Sequence, residues 1–428
     1  MTQLVEKRHA GQFLGLIYAG LIALSTIRGY FKLVDVPWYA TQFAYGAILF
    51  LGIAWVFITG NTRRLNTSVN VMAFQMLPQI IIVVWSVTIW VYKREPLANI
   101  LRGSSLILYQ ILLLAMLIAP GTMFGKKAIE YTAQGFILAN TLVLLDVMRR
   151  FGVGTTISGL ITFLVHLGSA DSNVSRALEV QDMTFGIAIL LVYYIAYGKE
   201  EHWRKFYILA LTFYFFTGLK RILIPAVAVA LFYLLITRKM SRNNQVKFSI
   251  FIGIMLIAVS MAYVILIRTD MWFTITERLG INLMGRKRLY NRVKPYYKIS
   301  PVYMGIGNGA VSKILEVSEV TGNRRLHSDV LRLYIELGMP IFLLWNAVVY
   351  IFTFTFLNRT YSIRSARMYF AITLLMFVTF LTDNTIEKYC PQIAWHVLPL
   401  AIVLADKEAF ADSLIKRSLL QKNGKQKN

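Results

Sequence analysis

Apolar runs close to twenty residues long recur from one end of this chain to the other, and nothing else in the sequence narrows its fold as sharply. A helix rises about 1.5 Å per residue, so about twenty apolar residues cross a hydrocarbon layer roughly 30 Å thick. In that layer only helices and closed barrels satisfy their own backbone groups. The runs predict spans at about 11–27, 36–59, 69–92, 98–119, 127–148, 180–198, 204–218, 221–237, 247–267, 339–357, 366–382 and 392–405. The expected fold is all-α, a polytopic transmembrane helical bundle of about twelve spans. With 57% apolar and 15% charged residues, the composition leaves little room for a soluble domain. Residues 1–405 are read as one integral-membrane domain and 406–428 as a basic cytoplasmic tail, partly disordered, either near anionic lipid or simply solvated. The single cysteine, Cys390, excludes an intramolecular disulfide framework and a CxxC site. No small-residue cleavage site follows the first run, so an uncleaved first span is expected.

Charge placement orients the bundle. With the N-terminus inside, the short inner connections hold Arg63 and Arg64; Lys126 and Lys127; Lys199, Arg204 and Lys205; Arg238, Lys239, Arg242 and Lys247; and Arg359, Arg364 and Arg367. Each is basic, as the positive-inside rule requires. Residues 149–179, the Thr217–Arg221 turn and residues 268–338 then fall outside. The last segment carries a second basic cluster that orientation does not demand, with twelve Lys/Arg against five Asp/Glu from Arg268 to Arg332. Cations split across a membrane do not suit nucleic acid. They suit an anionic ligand at one membrane face.

Within this connection, Arg288 and Arg292 stand four apart, hence on one helical face, with Arg286 at the start of the same piece. A guanidinium fork grips phosphate oxygens bidentately; a basic helix lying on lipid headgroups has the same spacing. Pro295 and Pro301 interrupt the helix, and Gly305-Ile306-Gly307-Asn308-Gly309 follows, a turn whose backbone can approach a ligand or another segment closely. It lacks the setting of a dinucleotide fingerprint. A short amphipathic helix comes next, with Val330, Leu333, Tyr334 and Leu337 on one face and Asp329, Arg332 and Glu336 on the other. Ser328 caps it, Gly338 and Pro340 stop it, and it is expected to lie along the membrane surface. His327 sits at its N-terminus. A lone histidine is either structural or a base, and the helix start after it and Arg324 and Arg325 before it favour the neutral imidazole. Lys220 and Arg221 make a tight turn at the same outer face, where snorkelling explains them equally. Asp383 ends a later span there, where it could orient a base, pair with an arginine, or close an Asx turn.

These residues resemble the bacterial O-antigen ligase and Wzy-type polysaccharide polymerase superfamily, integral-membrane glycosyltransferases of the GT-C class. The resemblance lies in Gly285-Arg286 with Tyr290, Ser300-Pro301 running into Gly305-Ile306-Gly307-Asn308-Gly309, and His327 leading into Glu336-Leu337-Gly338. The Lys220-Arg221 turn and Asp383-Asn384 look like further features. It covers roughly residues 215–390; Ser328 departs from the asparagine often found after the family's histidine. The resemblance implies a GT-C-like bundle with a large external loop containing short amphipathic helices. It implies transfer of glycan from undecaprenyl pyrophosphate at the outer leaflet of the bacterial cytoplasmic membrane. His327 and Asp383 would form the catalytic pair, and Lys220, Arg221, Arg286, Arg288, Arg292 and Arg325 the pyrophosphate-binding set, with Gly305, Gly307 and Gly309 in the supporting turn. No metal or other cofactor is expected, since no DxD pair occurs in an external segment. Expected partners are the lipid-linked glycan donor and acceptor, membrane lipid, a chain-length regulator and a flippase.

A compact external connection without a separate feature for a dissimilar acceptor favours a polymerase over a ligase. A transporter of lipid-linked saccharides also needs a cationic path, but it binds near the bilayer midplane between related halves, and no repeat is evident here. A non-enzymatic scaffold with a lipid-binding outer lobe is the third alternative.

Overall fold

The computed structural model describes the chain apart from residues 1, 28–39, 61, 96, 166–173, 175–176, 178–180, 199–200, 219, 281–282, 284, 318–324 and 426–428. Among the described residues all regular structure is helical. Six helical stretches are long and apolar enough to cross a membrane: Ala40–Thr59, Thr62–Tyr92, Ile107–Phe151, Arg242–Arg268, Asp329–Thr360 and Ile363–Phe380. Shorter apolar helices occupy Gly11–Ile27, Val153–Thr162, Met183–Ala196 and Leu223–Arg238. A helix stands at each of the twelve expected positions. The stretch Ile107–Phe151 combines two of them, divided where Gly125 turns the chain through a positive φ of 56°.

Loops at one end of the bundle share a web of polar contacts. Arg64 pairs with Glu408 at 2.6 Å, Lys126 with Glu201 at 2.8 Å and Arg364 with Asp406 at 3.5 Å. Arg242 donates to the Asn358 carbonyl at 3.0 Å and Arg367 to the Tyr197 hydroxyl at 2.9 Å. These are the loops assigned to one side from charge alone. At the far end of Thr62–Tyr92, Trp85 and Lys93 donate to the carbonyls of Met304 and Gly305 at 2.9 and 3.2 Å. A rise of 1.5 Å per residue sets Arg64 and Trp90 roughly 39 Å apart, so the basic loops and the glycine turn occupy opposite ends.

Two regions depart from the sequence reading. Val153–Val165 is a helix where an external connection was expected, and its Val153, Ile157, Ile161 and Val165 are exposed at four-residue spacing. Helix Tyr389–Lys425 runs through the region expected to be partly disordered, held near Lys407 and Glu408 by the Arg64 pair and a 3.1 Å bond from Lys407 to Thr67. His396, assigned no role, lies between Gln75 and Gln392 at 2.8 and 3.1 Å, a buried and satisfied histidine.

Candidate active site

Helix Asp329–Ala347 begins at Ser328, whose hydroxyl accepts the Leu331 N–H at 3.2 Å, and breaks at Gly338, where φ 76° and ψ 169° are open only to glycine. Cap and break stand where the sequence put them. The helix is covered by other segments of the chain: every residue from Ser328 to Gly338 is buried. The polar face can be buried because it is matched group by group. The Arg332 guanidinium, 4% exposed, meets Asp329 at 3.0 Å, Glu336 at 3.3 Å and Glu387 at 3.1 Å. Glu336 also accepts the N–H groups of Gly309 and Val311 at 2.9 and 3.2 Å. Asp329 accepts Ile386 N–H at 2.8 Å and the Thr385 hydroxyl at 3.3 Å. Buried charges persist only when so paired.

The glycine turn packs on the end of that helix. Ile306 and Gly307 donate to the Glu336 carbonyl at 3.2 and 2.9 Å, and Met339 to the Tyr303 carbonyl at 2.9 Å. A Cβ on Gly305 would stand 2.4 Å from the Glu336 carbonyl oxygen, and one on Gly338 would stand 2.2 Å from that of Tyr303. Gly307 lies against the Trp90 ring, and the Asn308 N–H reaches Ser86 at 3.0 Å. The turn's close approach is therefore to other segments of the chain.

His327 precedes the cap with φ 56°, a left-handed conformation rare for a residue with a side chain. Its ring is 30% exposed, and Nδ1 lies 3.9 Å from Asp383 Oδ1. That is ion-pair distance, longer than a hydrogen bond. The Asp329 N–H donates to the Asp383 carbonyl at 3.1 Å, which holds the two loops together. Lys388 Nζ, on a side chain 2% exposed, sits 3.3 Å from the same Asp383 oxygen and 4.5 Å from the centre of the Phe185 ring. Burial alone would raise the Asp383 pKa. The His327 imidazole, the cations Lys388 and Lys220 and the Asn384 N–H outweigh it and hold the carboxyl well below the usual range. These neighbours favour the Asp383 carboxylate, which stands within ion-pair reach of His327 Nδ1. It also gives His327 a negative neighbour to set against the cations that precede it in the chain.

Tyr290 closes the site from the central connection. Its hydroxyl donates to the His327 carbonyl at 3.4 Å and lies 3.2 Å from that of Tyr263, which donates to the Leu381 carbonyl at 2.7 Å. Helix Arg286–Val293 buries Leu289, Tyr290 and Val293 and leaves Arg288 and Arg292 exposed. Arg286, half-buried, falls at the i, i+3, i+4, i+7 positions of the buried face and acts electrostatically on both tyrosines.

The structure therefore sets His327 beside Asp383, lets Lys220 act on Asp383 electrostatically, and brings in Arg286 through Tyr290. Arg288 and Arg292 share a face as expected, but it is the outward one. Arg221 and Arg325 are exposed, and Arg324 lies outside the described residues. Lys388, Glu387 and Tyr263 were not singled out in the sequence. Lys388 and Glu387 follow Asp383 closely enough to have been candidates, but no spacing rule sets their direction in a loop. Among the described residues no three His, Cys, Asp or Glu side chains converge in a way that could hold a metal ion.

No protein-family model matches this chain, and no curated protein matches it.

Proposed function

We propose that this protein is an integral-membrane glycosyltransferase with about twelve membrane crossings that polymerises oligosaccharide units carried on a lipid diphosphate, working at the outer face of a bacterial cytoplasmic membrane. The observation that carries the reading is the His327–Asp383 pair, 3.9 Å apart, with Lys388 3.3 Å from Asp383, Lys220 acting on that carboxylate electrostatically and Arg286 acting on the neighbouring Tyr290. A sugar hydroxyl is too weakly acidic to attack unaided, and a partly exposed imidazole is suited to take its proton near neutral pH. Asp383 fixes Nδ1–H, leaving Nε2 to accept that proton. The hydroxyl oxygen bonds to the anomeric carbon of the donor as the carbon–oxygen bond to the diphosphate breaks, with inversion. The electron pair leaves with the lipid diphosphate, whose growing charge Arg286, Lys220 and Arg221 stabilise. Arg288 and Arg292 are better placed for lipid headgroups or the outer part of the diphosphate than for the reacting carbon.

Glycan analysis after deletion of the gene tests the reading. Loss of long chains with single units still displayed is the expected result. Accumulation of undelivered lipid-linked polymer would make the protein a ligase, and an unchanged glycan profile would remove the proposal.

A further inference from the structure

Loop 383–388 carries Asp383 to His327, yet its fixings converge on a side chain that touches neither. Arg332 grips the loop twice. It pairs directly with Glu387 at 3.1 Å, and it pairs at 3.0 Å with Asp329, whose other oxygen takes the Ile386 N–H at 2.8 Å and the Thr385 hydroxyl at 3.3 Å. On its opposite side, Glu336 passes the connection to the glycine turn through Gly309 and Val311. One guanidinium thus serves three carboxylates, of which Asp329 and Glu336 have side chains no more than 1% exposed. Without it the carboxylates repel one another, which loosens the loop that bears Glu387, Ile386 and Asp383 even though the Asp329 N–H still reaches the Asp383 carbonyl.

Resting on the glycosyltransferase reading above, we propose that Arg332 is a positioning residue, which holds loop 383–388 so that Asp383 faces His327. A planar fork is required for this. Arg332 directs one terminal nitrogen to Asp329 and the other to Glu336 and Glu387, a span that a lysine ammonium cannot reproduce.

The test is a double-mutant cycle on purified protein, with Arg332→Lys or the milder Glu387→Gln crossed with Asp383→Asn, using a lipid-diphosphate-linked oligosaccharide. Each single variant is expected to lower kcat about tenfold with the donor KM unchanged, because Asp383 misaligned acts as Asp383 absent. Adding either to Asp383→Asn should cost less than about twofold more. A multiplicative loss of about a hundredfold, or a loss expressed in KM, would show a structural or binding role and overturn the proposal. The carbethoxylation rate of His327, read by peptide mass spectrometry, runs the same cycle without turnover. Arg332→Lys should change that rate by the same factor as Asp383→Asn, with no further change in combination; a rate unchanged from wild type overturns the proposal. Should the wild-type protein fail to elongate the oligosaccharide, the glycosyltransferase reading falls and the carbethoxylation cycle alone decides Arg332. Should Arg332→Lys not fold, Glu387→Gln completes both cycles.

Discussion

Replacing Asp383 with asparagine separates stability from catalysis. The substitution keeps the shape of the side chain but removes the negative charge 3.3 Å from Lys388, whose side chain is only 2% exposed. At an effective dielectric constant near 20, charges at that distance attract by about 5 kcal/mol, and desolvation offsets part of it. Breaking one side of such a pair typically costs about 3–5 kcal/mol, because the remaining charge keeps its burial penalty. Thermal unfolding of detergent-solubilised protein should therefore show a fall of several degrees for Asp383→Asn. Adding Lys388→Met should restore most of it, since the buried cation is removed too. Turnover should stay low in both, because His327 has lost its anchor. The pH dependence has a definite sign. A carboxyl depressed in the folded state contributes stability that is present above its unfolded value of about 3.9 and is lost only as pH falls through the depressed value. The Asp383→Asn deficit should therefore persist from pH 8 down to pH 5, where protonation of the adjacent His327 can only enlarge it. A double variant no more stable than the single, or a deficit that vanishes by pH 5, would refute this account of the pair.

His327→Asn should be the cleanest probe of the base, since asparagine tolerates the left-handed backbone that alanine does not. Turnover should fall at least about a hundredfold with little change in melting temperature. Gly338→Ala should destabilise far more than Gly309→Ala in the same unfolding assay. Both meet a positive φ, worth about 1–2 kcal/mol, but only the Gly338 Cβ collides with backbone, while nothing stands within 4 Å of the other. Arg286→Lys should impair turnover nearly as badly as Arg286→Ala, by about 2.7–4 kcal/mol of transition-state stabilisation, whereas Arg288→Ala or Arg292→Ala should cost much less. Full activity in Arg286→Lys would reduce that residue to a general electrostatic role.

Periodicity and capping made much of this fold legible. Apolar runs located the helices, because a helix at these positions has to be apolar over its whole length. Ser328, Gly338 and Pro340 marked the helix beside His327, because cap and break depend on local backbone chemistry. The placement of that helix was not legible. Asp329, Arg332 and Glu336 form a charged stripe that ordinarily faces water, and only the fold shows that Glu387 and the amides of Gly309 and Val311 cover it. The same limit applies to the arginines: spacing put Arg288 and Arg292 on one face, but which face turns toward His327 depends on where Leu289, Tyr290 and Val293 are buried. Lys388 was hidden for a related reason. Its direction is set by Asp383 and the Phe185 ring, which lies 203 residues earlier in the chain.

The most direct measurement is the incubation of purified, reconstituted protein with a lipid-diphosphate-linked oligosaccharide, following glycan length and released lipid diphosphate together. Wild-type protein should lengthen the glycan and release one lipid diphosphate for each unit joined, and His327→Asn, equally folded, should do neither at more than about a hundredth of the rate. Failure of the wild-type protein to lengthen the glycan, or equal elongation by His327→Asn, would contradict the assignment of this site.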